Sequence, residues 1–299
     1  MTDASPHAAA VLHSVDRRGV ATLTLNRPEK GNRYSQAMLD TLLADVTRLG
    51  AEPAVRVIVL RAGGKHFCVG AEIGEEQPAV KEKSRATLPG LCLAFDEVPK
   101  PTVALVHGGC IGGGNALVSC CDIVLAARDA FFSLPEVRLG FAPGPLIPFF
   151  LRAVEARSLR RYLLSGERFA AETALRIGLV HELYDADGGD AALASLLDEL
   201  LLAGPNAVAT TKGLLRRLTQ TPVSKELLAE LQSQFNVKLE DANRLKSRLE
   251  RKHQNAVDEF ETELRAAKKQ IAALDEQLRE ERRVADRLQR NVGRVTSPD

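Results

Sequence analysis

The chain has 299 residues, 45% of them hydrophobic, and a formal net charge of +1. That is enough apolar material for a sizeable core; the near-neutral charge gives no electrostatic reason to invoke nucleic acid, and no apolar run approaches the length of a membrane span. The five cysteines (Cys68, Cys92, Cys110, Cys120, Cys121) show no paired metal-ligand spacing, and the N-terminus has no basic region followed by an apolar stretch, so a soluble cytoplasmic protein with reduced, buried thiols is expected.

In chain order, VLHSVDRRGVATLTL predicts two strands around an Arg18-Gly19 hairpin, and Arg27-Pro28 stops the second. Ser35 stands where it can cap a helix in MLDTLLADVTRLG, whose apolar residues recur at helical spacing and which ends in Gly50. The strand-like VRVIVLR runs into a glycine-bearing turn, AGGKHFCVGAEI. The polar, proline-broken EIGEEQPAVKEKSRATLPG then reads as a mobile loop beside a site. LCLAFDEVPKPTVALVHGG predicts a helix, a break at Pro99-Lys100-Pro101, and a strand leading into a second glycine cluster: Gly108, Gly109, Gly112, Gly113 and Gly114. An apolar helix follows from Asn115 to Cys121, then the strand IVLAA after Asp122. SLRRYLLSGERFAAETALRIGLVHELY reads as a short helix, a glycine turn, a second helix with an alanine face and a last strand.

Glycines allow backbone N–H groups to approach a ligand with no Cβ in the way, and a helix beginning there directs its positive end to the same place, so the second cluster reads as an anion site. A tight strand-to-helix turn that needs small residues is the alternative. The two glycine turns, together with one downstream carboxylate, Glu136 in LPEVRLG, resemble the enoyl-CoA hydratase/isomerase superfamily, also called the crotonase family.

That resemblance implies an α/β fold, a spiral of ββα units, acting on acyl thioesters. It implies that Gly70-Ala71-Glu72 and Gly112-Gly113-Gly114 are the two oxyanion turns, with the Ala71 and Gly113 N–H groups as donors and Glu136 as the proton-transferring carboxylate. RPEKGNRYSQAM matches the loop near the CoA nucleotide, but with Arg33 and Tyr34 where the family commonly has a small residue. Gly70, Gly112, Lys30 and Lys65 are the further candidates for binding substrate or CoA. In GFAPGPLIPFFLRAV, Phe141 and Leu146 are expected in the wall of an acyl pocket, Phe149 and Phe150 in the core. No cofactor beyond the thioester carrier, CoA or acyl carrier protein, and no metal is expected; His66 and His107 read as hydrogen-bonding or packing groups.

Two-glutamate hydratases of the family carry a second Glu two residues after the GGG segment, where this chain has Ala116. A lone carboxylate at the Glu136 position points, by resemblance, to hydration or dehydration of 3-methylglutaconyl or 3-hydroxy-3-methylglutaryl thioesters. Enoyl-CoA isomerases, dehydratases acting on carrier-bound 3-hydroxy-3-methylglutaryl groups, and a non-catalytic scaffold stand as alternatives. The family resemblance runs to about Leu218, through a core over 8–190 and into a helical extension over 191–221. Beyond it, 222–293 predicts a coiled-coil-like helix with a seam at Val257, Phe260, Leu264, Ala267, Ile271, Leu274, Leu278, Ala285, Leu288 and Val292, interrupted by Glu281. A solvated single helix and a helix packed back on its own domain remain open. A homo-oligomer, trimer or hexamer, with a further coiled-coil partner, is the expected assembly.

Overall fold

A computed structural model of the chain describes residues 9–72, 86–185, 187–219 and 224–295. It divides into two compact units, Met1–Thr221 and Pro222–Asp299. Residues 73–85, most of the expected mobile loop, lie outside the described residues, as do the side chains of the seam positions Ala285, Leu288 and Val292.

The first unit is built on a six-stranded sheet. β1 (Val11–Val15) and β2 (Val20–Leu25) form the expected hairpin, with Gly19 at φ 83 in the turn. A 3₁₀ turn at Pro28–Lys30 leads to α1 (Gln36–Ala51), and β3 (Val57–Ala62) returns parallel to β2. α2 (Leu88–Glu97), β4 (Thr102–Val106), β5 (Gly109–Ile111), α3 (Gly113–Ser119), β6 (Ile123–Ala127) and β7 (Phe131–Ser133) follow. After a 3₁₀ turn at Pro135–Leu139 come α4 (Ile147–Ala153), α5 (Ala156–Ser165), β8 (Arg168–Ala170), α6 (Ala171–Arg176), β9 (Glu182–Tyr184), α7 (Gly189–Leu202) and α8 (Pro205–Leu218). The large sheet has the order β1-β2-β3-β4-β6-β9 and the small one β5-β7-β8.

Physical causes for these elements are local and legible. Every residue of β4 is buried, as a parallel strand covered on both faces requires. α1 buries Met38, Leu39, Leu42, Val46 and Leu49 along one stripe, each such side chain contributing about 1.5–3 kcal/mol. Ser35 caps it, its hydroxyl accepting from the Met38 N–H at 3.3 Å. The expected helix end at Gly50 is corrected: α1 runs through Gly50 to Ala51. Gly50 is small because a Cβ there would stand 2.6 Å from Val98 Cγ2, so the position serves packing against the end of α2. The end of the expected loop is corrected as well. Thr87 accepts from the Gly90 N–H at 3.1 Å and caps α2, with Pro89 in its first turn.

The described residues of the second unit form one helix, α9 (Lys225–Val295). Its described seam residues Phe260, Leu264, Ile271, Leu274 and Leu278 are exposed. No single described helix is long and apolar enough to cross a membrane.

Candidate active site

Three chain segments run side by side and end at one place. Residues 67 and 68 pair in parallel with the start of the second glycine cluster: the Phe67 N–H donates to His107 O (3.0 Å), Cys68 N–H to Gly109 O (3.2 Å) and Ile111 N–H to Cys68 O (2.8 Å). β5 pairs in parallel with β7, Ile111 opposite Ser133, and the Gly112 N–H extends the ladder to Ser133 O at 2.9 Å. The forward ends of these neighbours therefore deliver Gly70-Ala71, Gly112-Gly113 and Glu136 together, at the carboxyl end of parallel strands where α/β folds form crevices.

The geometry at that end is close. A Cβ on Gly112 would stand 3.0 Å from Glu136 Oε1, 3.8 Å from its Cδ and 4.0 Å from Gly70 Cα. Gly112 (φ 56, ψ −125) and Gly70 (φ 97) both hold backbone that side-chain-bearing residues rarely adopt. Gly114 is pinned differently, since a Cβ there would meet Cys68 O at 2.6 Å. Gly113 opens α3, so its N–H has no carbonyl one turn back to bind. Among the described residues the Ala71 N–H also makes no backbone hydrogen bond, although its neighbours do: the Tyr34 N–H donates to Gly70 O and the Glu72 N–H to Tyr34 O.

Glu136 is only 6% exposed, and its Oε2 has no hydrogen-bond partner among the described residues. Burial pushes its carboxyl above the ordinary value, partly opposed by its own backbone N–H. The site thus combines two N–H groups that make no backbone hydrogen bond among the described residues with one buried carboxyl that holds its proton more tightly than a free glutamate, a set suited to stabilising an oxyanion and moving a proton next to it.

The remaining candidates fall around this point. Lys30 joins Arg27 (2.6 Å) in pairing with Glu72; those pairings hold the Glu72 carboxyl down at about 2 and clamp the turn that carries Ala71. Lys65 is exposed on the turn after β3. Phe141 is 54% exposed beyond the 3₁₀ turn, its N–H donating to Glu136 O at 3.2 Å. Leu146, expected in a pocket wall, packs partly buried on the core, as does Phe149, whereas Phe150 is fully buried. His66 accepts from the Gly109 N–H at 3.0 Å through Nδ1, and His107 Nε2 bonds Gly64 O at 2.8 Å, so both histidines tie the two glycine turns together.

Three side chains carry weight that the sequence reading did not assign. Asn32, fully buried at φ 55, donates to Gly63 O (2.8 Å) and His66 O (2.7 Å) and accepts from the Arg27 N–H (2.8 Å), joining the loop after β2 to the turn after β3. Asn115 occupies the buried start of α3 and donates to Ser133 O (2.8 Å) and Cys110 O (3.0 Å), locking β5 to β7 below the site. Tyr34 lies across both turns. An Asn in a glycine-flanked turn was the available signal for Asn32, and the departure from a small residue was the signal for Tyr34.

The enoyl-CoA hydratase/isomerase family profile matches residues 16–255. The enoyl-CoA hydratase ACTT6 of Alternaria alternata is 32% identical over 220 residues, 72% of each chain. The mevalonyl-coenzyme A hydratase sidH of Aspergillus fumigatus is 33% identical over 214 residues, 70% of this chain and 79% of that one. A crystal structure of an enoyl-CoA hydratase from Mycobacterium smegmatis superposes with a TM-score of 0.70 at 30% identity, covering 77% of this chain and 91% of the other.

Proposed function

Because this chain belongs to the enoyl-CoA hydratase/isomerase family, we propose that it is a hydratase-type lyase acting on a 2-enoyl or 3-hydroxyacyl thioester, of the 3-methylglutaconyl or 3-hydroxy-3-methylglutaryl class. The observation that carries this reading is the convergence of the Glu136 carboxyl with the Gly112-Gly113 turn, so close that a Cβ on Gly112 would stand 3.0 Å from Oε1, beside the Gly70-Ala71 turn. In it, the Ala71 and Gly113 N–H groups hold the thioester oxygen and stabilise the enolate. Removing one such donor typically costs on the order of 10²-fold or more in rate. Glu136 takes a proton from water as the oxygen bonds to Cβ, the electron pair moves to the thioester oxygen, and the same carboxyl returns the proton to Cα. Its burial suits a group that must be protonated and deprotonated in one cycle.

The closeness of the mevalonyl-coenzyme A hydratase supports a branched, oxygen-bearing acyl group, and that of the enoyl-CoA hydratases supports CoA as carrier. Ala116, buried where a second carboxylate would stand, favours one other reading: an isomerase that shuttles a single proton between Cα and Cγ. Absorbance of the conjugated enoyl thioester separates the two. Hydration of 3-methylglutaconyl-CoA, abolished in Glu136→Gln, is expected; conversion of a 3-enoyl-CoA without hydration would give the isomerase instead. Turnover confined to carrier-protein thioesters would move the substrate to that carrier. No turnover on any of them would leave a scaffold.

Self-association through α9 belongs to the same proposal, alongside association of the core. Val257, Phe260, Leu264, Ala267, Ile271, Leu274 and Leu278 alternate three and four apart, and a parallel, in-register second copy sets Glu263 of one helix against Lys268 of the other. The core itself leaves Leu202 and Leu215 on α7 and α8 exposed, a place for copies to meet in a trimer or hexamer. Light scattering of full-length and tail-deleted protein tests both contacts, and a full-length monomer at micromolar concentration would refute them.

A further inference from the structure

Tyr34 is the largest side chain at the site without a task in the scheme above. Its backbone is locked to the first turn, the Tyr34 N–H donating to Gly70 O at 3.0 Å and Tyr34 O accepting from the Glu72 N–H at 3.1 Å, which sets it opposite Ala71. Its ring ends at the second turn. A Cβ on Gly113 would stand 2.7 Å from both Cε1 and the hydroxyl of Tyr34, and 2.6 Å from Leu88 Cδ2. Carboxyl and phenol therefore face consecutive glycines, Glu136 at Gly112 and Tyr34 at Gly113.

Burial first, then the proximity of Cys68 and Glu136, keeps the phenol protonated well above its ordinary range, so at the site it acts as a donor. Among the described residues its hydroxyl makes no hydrogen bond, so an oxygen of a ligand seated against Gly113 would find a donor free to meet it. A site that holds a donor ready for a ligand oxygen penalises ligands lacking that oxygen far more than a hydrophobic wall penalises a missing methylene.

We infer that Tyr34 sets acyl specificity, its hydroxyl donating a hydrogen bond to an oxygen carried on the acyl chain, with the ring and Leu88 closing the wall at Gly113. This rests on the thioester reading of the site. Two sources could supply the oxygen: the one that enters or leaves at Cβ, common to every hydration substrate, or a carboxylate at the far end of a glutaconyl-type chain.

Tyr34→Phe keeps the ring and removes the donor. Steady-state kinetics with crotonyl-CoA and 3-methylglutaconyl-CoA are compared with the dissociation constants of butyryl-CoA and glutaryl-CoA, which have no double bond to hydrate. A loss of kcat/KM of about 10- to 100-fold on 3-methylglutaconyl-CoA is expected. If crotonyl-CoA is spared and glutaryl-CoA binding weakens by a similar factor, the oxygen is the distal carboxylate. If both substrates lose equally in kcat while butyryl-CoA binds as before, it is the β-oxygen. Activities and affinities within twofold of wild type would overturn the inference, and so would weakened butyryl-CoA binding, which would mean that the ring had moved. A wild-type protein that binds thioesters and turns over none would refute the hydration reading alone; Tyr34 is then judged by binding, upheld by a selective loss of glutaryl-CoA affinity and rejected without one.

Discussion

Replacing Gly112 by alanine tests the placement of the carboxyl directly. At φ 56 and ψ −125 a Cβ costs about 1–3 kcal/mol in backbone strain. The new methyl would stand 3.0 Å from Glu136 Oε1, against about 3.4 Å for ordinary contact, so the carboxyl must retreat by roughly 0.4 Å. If 1 Å of misplacement costs about 10²-fold, 0.4 Å costs about sixfold, and the methyl also intrudes on the space between the turns. A fall in kcat of about tenfold or more is therefore expected. Gly140→Ala supplies the control, because Gly140 has φ 84 but nothing within 4 Å of its Cβ. Both variants should lose about 1–3 kcal/mol of stability, a few degrees in Tm for each kcal/mol in a unit of this size. Only Gly112→Ala should lose turnover. If it keeps kcat within twofold of wild type while melting like Gly140→Ala, Glu136 is not at the reacting centre.

Three further expectations concern Glu136, Asn115 and Lys212. Burial raises the Glu136 carboxyl above 4.5, so its favourable contribution is complete below the unfolded-state value and is lost as pH rises through the folded one. Glu136→Gln should therefore melt higher than wild type at about pH 8, with the gain vanishing near pH 4, and equal melting curves at both pH values would contradict the burial argument. Asn115→Leu takes one of two donors from Ser133 O, which keeps the Gly112 N–H, and the side-chain donor from Cys110 O, a loss of about 0.5–1.5 kcal/mol for each hydrogen bond that is partly offset by removing the unpartnered Asn115 Oδ1; denaturant unfolding measures it, and unchanged or raised stability would refute it. Lys212→Met removes the donor to Phe95 O (3.0 Å), Lys100 O (3.0 Å) and Asp122 Oδ2 (2.7 Å). Roughly 2–3 kcal/mol is expected, less than for a fully buried pair because the Asp122 side chain is 34% exposed, and a change below about 0.5 kcal/mol would refute it.

The parts of the fold readable from sequence are those whose signal is local. The β1-β2 hairpin shows in its alternation and in Gly19, α1 in its apolar stripe and its Ser35 cap, and the break before β4 in Pro99 and Pro101. The small sheet is not readable this way. β5, β7 and β8 have three residues each, too few for a period to show, and their pairing is fixed by partners as distant as Ile111 and Ser133. Gly50 misleads for the same reason, because the residue that requires its smallness is Val98 and not its helix neighbours. At the site, Gly70, Gly113 and Glu136 carry motif spacing, whereas the role of Tyr34 is visible only once the loop after β2 lies against the Gly70-Ala71 turn.

That loop also explains how a buried carboxyl can be held without a partner on Oε2. Glu136 pays for its desolvation out of the surrounding structure: the ladder of 67–68, β5 and β7 fixes the backbone on either side, and Asn115 fastens β5 to β7 from beneath. Arg27 and Lys30, through Glu72, and Asn32, through Gly63 and His66, hold the third side. The residues that provide this restraint lie within Met1–Thr221, and so do both turns and Glu136. A chain ending between Leu218 and Pro222 therefore retains every group named here that places the carboxyl, and its Glu136 should keep the same raised affinity for a proton as in the full-length protein.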